Sequence, residues 1–143
     1  MSRKVKELDS LLRLQGWAVD ERRRELGVLL ARQGVLIEQD QEMDRQLTLE
    51  KEIARSDPAF AGHNFSVYIA NHFRKKEAMA MLLAGIATEV EAARDRLAGA
   101  YREQKVLDEV QKKRLEEQRI DEGRREQAYY DEVSQTQFAR RHL

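Results

Sequence analysis

The side chains that could carry chemistry are three histidines and a few neighbouring carboxylates. His63, His72 and His142 are too scattered for the spacing that metal ligands need on one helix face. The pairs Glu116-Glu117 and Asp121-Glu122 could in principle act as acid and base. Such pairs need a cleft that shifts their pKa values, and a chain of extended helices has none. We therefore interpret these carboxylates as parts of a solvated face.

Sequence motifs of enzymes are missing as well. The chain has no glycine-rich phosphate loop and no H-E-x-x-H motif, and it contains no cysteine. A cysteine nucleophile, a disulfide and a thiolate metal site are thereby excluded, and the composition agrees with a reducing compartment. We predict a protein without catalytic activity, cofactor or metal.

The composition favours extended helices over a compact domain. Of 143 residues, 36% are charged and 6% aromatic, and there is one proline. Lys+Arg and Asp+Glu both number 26, so no nucleic-acid partner is expected. The longest apolar run, residues 78–87, is half of the roughly 20 residues of a membrane span. No apolar signal segment follows the N-terminus, so we expect a cytoplasmic protein that is not inserted in a membrane.

One break divides the predicted helices. Pro58 disfavours helical geometry at the preceding residue, while Gly62 and Asn64 suit a turn and a new helix start. We predict helix 1 over about 3–55, a tip over 56–64 and helix 2 over about 65–140, all in one domain, 1–143.

A heptad pattern beginning at Val5 predicts the seam of helix 1, the stripe that packs against helix 2. Ten of its fifteen positions are apolar. In helix 2 the apolar residues form a stripe for which we expect one or two phase shifts. Its members are Phe65, Tyr68, Ile69, His72, Met79, Leu82, Leu83, Ile86, Val90, Ala93, Leu97, Ala100, Leu107 and Val110.

Lengths and charges predict an antiparallel hairpin. If the chain folds about the tip, residues of the two helices pair when their numbers add up to roughly 120. The N-terminal start of helix 1 then lies opposite residues near 115–118, and the last ~20 residues of helix 2 extend beyond it. The apolar stripe nearly vanishes beyond residue 110, as an overhang requires. Residues 35–57 carry seven acidic and three basic side chains, and this register sets them against the basic run 74–76. The fold class is thus all-α: two long helices in an antiparallel coiled-coil hairpin, monomeric when free.

Three features leave alternatives open. Residues 78–87 are a packed seam with small outer residues or, alternatively, a docking surface. Trp17 is either a binding anchor on the face opposite the seam or, after a local heptad shift, buried with Leu14. The run Arg22-Arg23-Arg24 suggests DNA, but flanking acidic residues argue against a basic zipper.

The chain resembles the FliJ family of flagellar type III export, with stalk proteins of virulence secretion as relatives. Length and layout agree, and three segments are similar in order and spacing. These are the opening of helix 2 (64–72, NFSVYIANH), its middle (101–105, YREQK) and its end (126–134, EQAYYDEVS).

This resemblance implies a stalk or adaptor function. Members insert the paired ends of the hairpin into a hexameric export ATPase and contact an export-gate membrane protein and export chaperones, at the inner membrane below the flagellum. By position, Tyr68, His72 and Met79 correspond to the stripe that binds the export gate, although the family tends to have an aliphatic residue where this chain has His72. Tyr129, Tyr130 and Val133 lie at the end that binds the ATPase.

Two other classes remain as alternatives. One is the stalk protein of a virulence type III secretion system. The other is an unrelated coiled-coil scaffold.

Overall fold

Two helices make up the computed structural model, which describes residues 3–142 except for the side chains of Phe60 and Ala61. Helix α1 spans Arg3–Ser56 and α2 spans Pro58–His142. They pack together as a hairpin whose second helix is the longer. The all-α hairpin predicted from the heptad pattern is confirmed.

The break between the helices is shorter than the predicted tip, 56–64. Only Asp57 separates them, and its backbone N–H donates a hydrogen bond to the carbonyl of Ile53 at 3.2 Å. Pro58 opens α2, where its fixed φ suits a helix and its missing N–H would have had no partner. Asp57 takes the N-cap position that aspartate favours. A proline that ends one helix can therefore start the next at once.

The seam of α1 agrees with the predicted heptad frame. All fifteen predicted positions are buried or half-buried, and nearly all other described α1 residues are exposed. Val5, Leu8 and Val19 are buried. The polar seam residues Gln33 and Asp40 are half-buried, so the periodicity continues through them.

The seam of α2 differs from the predicted stripe by one exposed member and by polar residues that the stripe did not include. Leu82 is 56% exposed and lies outside the seam, which is a correction to the prediction. From Ile69 to Gln118, buried and half-buried seam residues follow one another in alternating steps of three and four, without a phase shift. The expected phase shifts are absent because polar residues occupy the seam positions instead, namely Lys76, Gln104, Gln111, Arg114 and Gln118.

By their contacts, the described residues divide into two units. Residues Val19–Gly99 form the tip unit, and the described residues before and after them form the terminal unit. In the tip unit Lys76 bonds to Asp40, and Arg96 lies 3.6 Å from Glu25. Both pairs satisfy the predicted register, in which paired numbers add up to roughly 120.

In the terminal unit, hydrogen bonds between the two helices mark the pairing. The Gln15 amide donates to the Ala100 carbonyl at 3.0 Å, the Gln111 amide donates to Asp9, and Arg114 donates to the Lys4 carbonyl at 3.4 Å. These pairs confirm the same register.

Contacts fade beyond residue 118, in what we call the C-terminal extension, residues 119–142. Every residue of it is exposed except Val133, which is partly exposed. If the heptad frame is continued, Asp121, Arg125 and Glu132 take seam positions, so no apolar stripe remains to pack. The predicted overhang agrees with this loss of burial.

The hairpin is testable by a distance between its helices. Spin labels on cysteines placed at Arg45 and Lys75 should lie within about 20 Å, whereas a continuous helix would separate them by about 45 Å. Pulsed electron–electron double resonance on labelled protein diluted with unlabelled protein measures this distance. The longer distance would contradict the hairpin.

Hydrogen exchange should follow the burial. Residues 118–142 should exchange fastest among the helical segments of the free protein, because few apolar contacts hold them and isolated helices are marginal. Exchange should be slower around 26–47 and 79–97, where both seams are occupied. Uniform protection along α2 would argue against a free extension.

Candidate partner-binding surfaces

A histidine layer lies in the seam of the tip unit. His72 is 6% exposed, and its Nε2 lies 3.9 Å from Oδ1 of Asp44 on α1. The Tyr68 ring stacks on it with a centroid distance of 6.4 Å, and the Phe73 ring meets it edge-on at 5.6 Å. The helix spacing of four residues between Tyr68 and His72 brings these two rings together.

One helical turn further, Lys76 forms the principal ion pair between the helices in this unit. Its Nζ donates to Oδ1 of Asp40 at 2.7 Å and to Oδ2 of Asp44 at 3.0 Å. The hydrogen bond to Asp40, followed by the one to Asp44, raises the pKa of Lys76 above its ordinary value. Asp44 thus faces both His72 and Lys76. A polar layer of this kind specifies which residues of the two helices face each other.

The structure places the predicted gate-binding residues in or beside the seam. Tyr68 is half-buried, while His72 and Met79 are buried at 6% and 8% exposure. Buried side chains act on a partner through the residues that they position, and Phe73 and Met81 beside them are 63% and 73% exposed. Phe73 is not among the residues predicted from the sequence, although its place directly after a seam position indicates partial exposure.

A shallow groove of about 220 Å³ adjoins the histidine layer. It is lined by residues of both helices, namely Glu42, Met43, Gln46, Tyr68, Asn71, His72 and Lys75. Helix α1 therefore contributes to this surface as much as α2 does. The gate-binding residues predicted from the sequence all lie on α2 and do not include these α1 residues.

The outer side of residues 78–87 is open. Met81 and Leu82 are the large exposed residues, and Ala80, Ala84 and Gly85 are exposed beside them. The seam is supplied by Met79, Leu83 and Ile86 alone. The run is thus a seam with an apolar outer surface, and docking at that surface stays a prediction.

The predicted ATPase-binding residues lie together on the C-terminal extension. Tyr129 and Tyr130 are each 63% exposed, and their rings meet edge-on at 5.9 Å. Val133, one turn further, is partly exposed. Phe138 is also 63% exposed, and the His142 ring stacks on it at 4.1 Å. Large aromatic side chains exposed on a helix without an apolar seam are suited to a partner's pocket.

Two further alternatives are decided by exposure and pairing. Trp17 is 62% exposed and Leu14 54%, so the local shift that would bury them together does not occur. Each arginine of the run 22–24 pairs with a carboxylate of the same helix, at 3.1, 3.9 and 3.5 Å. The run is therefore locally neutralised by acidic neighbours.

Two other kinds of site are absent from the described part of the chain. The residues that the structure describes include no group of three or more His, Asp or Glu that could hold a metal ion. Within the same residues, neither helix contains a stretch apolar enough to cross a membrane.

Comparison with known families agrees with this geometry. The sequence profile of the family described as Flagellar FliJ protein matches residues 4–143. The chain belongs to the FliJ family. Neither the comparison with curated proteins nor that with solved structures found a match.

Membership decides the class of function. A FliJ-family protein is a non-catalytic coiled-coil component of the flagellar export apparatus. This assignment confirms the family resemblance and the prediction that the chain is not an enzyme. An unrelated coiled-coil scaffold is no longer an alternative.

The ion pairs of Lys76 with Asp40 and Asp44 generate a prediction about stability. Lys76→Glu would place a third carboxylate beside Asp40 and Asp44, so Tm should fall by several degrees. Lys75→Glu, at the exposed neighbouring position, is the matched control and should change Tm little. Adding Asp40→Lys and Asp44→Lys to Lys76→Glu should restore Tm. If Tm stays low, loss of these ion pairs is not the cause of its fall.

The same layer has a pH dependence of known sign. Because the pKa of Lys76 is raised, its contribution is complete below the ordinary lysine pKa of 10.5 and is lost as pH rises through the raised value. Thermal melts between pH 7 and pH 10 should therefore leave the difference between wild type and Lys76→Glu nearly constant.

Proposed function

We propose that this FliJ-family chain is the stalk of the flagellar export apparatus. It inserts its paired helix ends and the C-terminal extension into the hexameric export ATPase, and it contacts the cytoplasmic part of the export-gate membrane protein and export chaperones. It acts in the cytoplasm at the inner membrane below the flagellum, as a monomer in dilute solution. It binds no nucleic acid and does not enter the membrane.

The exposed aromatic residues of the C-terminal extension carry the ATPase part of this proposal. Tyr129 and Tyr130 lie where the seam has become polar, so they contribute nothing to holding the helices together. Two rigid aromatic side chains on a solvated helix are typical anchors of a protein interface. Inserting them into a ring would bury surface that the free chain leaves in water.

The histidine layer supports the gate part. Tyr68, His72 and Met79 occupy about three turns of α2 in the tip unit, and the groove of Met43, Gln46 and Asn71 lies beside them. We assign His72 and Met79 a positioning role, because burial keeps their side chains from a partner. The half-buried ring of Tyr68 and the exposed ring of Phe73 make the contact.

Alanine substitutions test the division of labour. Tyr129→Ala, Tyr130→Ala and Val133→Ala together should abolish stimulation of ATP hydrolysis by the export ATPase, measured as phosphate release. The hairpin should stay folded by circular dichroism, since these residues lie outside the seam. Tyr68→Ala with Met79→Ala should instead weaken binding to the export-gate domain, with stimulation largely intact.

The two sets of substitutions control for each other. They lie about 50–65 positions apart on α2 and in different units, so their effects should be additive. Normal stimulation by the C-terminal triple variant would contradict insertion of that end, and the tip would become the candidate for the ATPase contact.

A further inference from the structure

The side of α1 that faces away from α2 carries a second regular stripe within the tip unit. Seam residues alternate in steps of three and four, and at about 100° per residue a second set with the same alternation lies almost directly opposite. We call this set the outer face. Its members are Glu21, Arg24, Val28, Ala31, Val35, Glu38 and Glu42, all of them exposed.

The apolar centre of the outer face is open to solvent, and Val28 at its edge shares a shallow groove with Arg96 of α2. Val28 is 58% exposed and Val35 56%, and Ala31 lies between them. Gly27 and Gly34 flank the two valines, and a Cβ added at either glycine would meet nothing within 4 Å. Each glycine costs on the order of 1 kcal/mol in a helix interior, and packing inside the hairpin does not require it. Small residues at these places would let a second helix approach closely.

The order of residues along the outer face is nearly palindromic. Turning a second copy of the face antiparallel about Ala31 brings Val28 against Val35 and Arg24 against Glu38. Two-fold symmetry repeats each of these contacts, which is the self-complementarity that a symmetric dimer requires.

We propose that a second copy of this chain docks on the outer face, with the two α1 helices antiparallel and Ala31 at the two-fold axis. The occupant is specified by charge: Arg24 of one copy meets Glu38 of the other, twice.

The remaining charges limit the strength of this dimer. Glu21 faces Glu42 at both ends of the contact, where each carboxylate is held by an arginine of its own helix, Arg24 at 3.5 Å and Arg45 at 2.7 Å. Arg45 also bonds to Glu38 at 2.8 Å, so Arg24 joins an existing ion pair. A contact of seven positions per copy should bury less surface than the roughly 1,200 Å² of a standard interface. We therefore expect a reversible dimer with a Kd on the order of 100 µM.

Disulfide trapping tests the position of the axis. The chain has no cysteine, so Ala31→Cys introduces a single thiol where the two copies meet. Mild oxidation of the full chain at about 100 µM, near the expected Kd, should form a cross-linked dimer at least tenfold faster than Ala92→Cys, an exposed position on α2. Equal rates for the two variants would overturn the proposal.

Charge exchange tests the contacts themselves. Arg24→Glu and Glu38→Arg, each alone, should raise the Kd measured by sedimentation equilibrium at least tenfold, because like charges then meet at both ends of the apolar centre. The two substitutions combined restore opposite charges and should return the Kd to the wild-type value. Unchanged Kd in the single variants, or no recovery in the double variant, would refute the dimer, and circular dichroism confirms that each variant is helical.

Discussion

Burial of one apolar stripe per helix is the constraint on which this structure depends. A chain with 36% charged residues and 6% aromatic residues cannot enclose a compact core, so each helix buries its seam against the other. The buried residues are few and mostly aliphatic, among them Leu8, Ile86 and Val90. Most described residues outside the seam are exposed to water.

Polar residues within the seam specify the alignment that apolar residues leave open. An aliphatic stripe packs almost equally well after a slip of one heptad, whereas Lys76 bonds to Asp40 and Asp44 in one alignment only. In the terminal unit the amide of Gln111, which donates to the Asp9 carboxylate, has the same effect. Each unit thus combines modest apolar burial with hydrogen bonds that define its register.

The distribution of exposed apolar residues connects the fold to export. Where the seam ends, Tyr129 and Tyr130 stand on a solvated helix, and beside the histidine layer Phe73 and Met81 project from the tip unit. On the side of α1 that faces away from α2, Val28 and Val35 form the centre of the outer face. A non-catalytic component of the export apparatus acts by binding other proteins, and exposed apolar residues are typical anchors for such binding.

The sequence by itself determined the helices, the seam of α1, the register and the family, because periodicity and charge order are properties of the chain. All fifteen predicted seam positions of α1 are shielded, and the match of Lys76 to the acidic stretch was expected. Tertiary structure alone decided that Lys76 enters the seam while Leu82 stays exposed, and that Asp57 suffices as a link. The reason is physical: a polar residue enters a seam only when its partner lies opposite, and that neighbour belongs to the other helix.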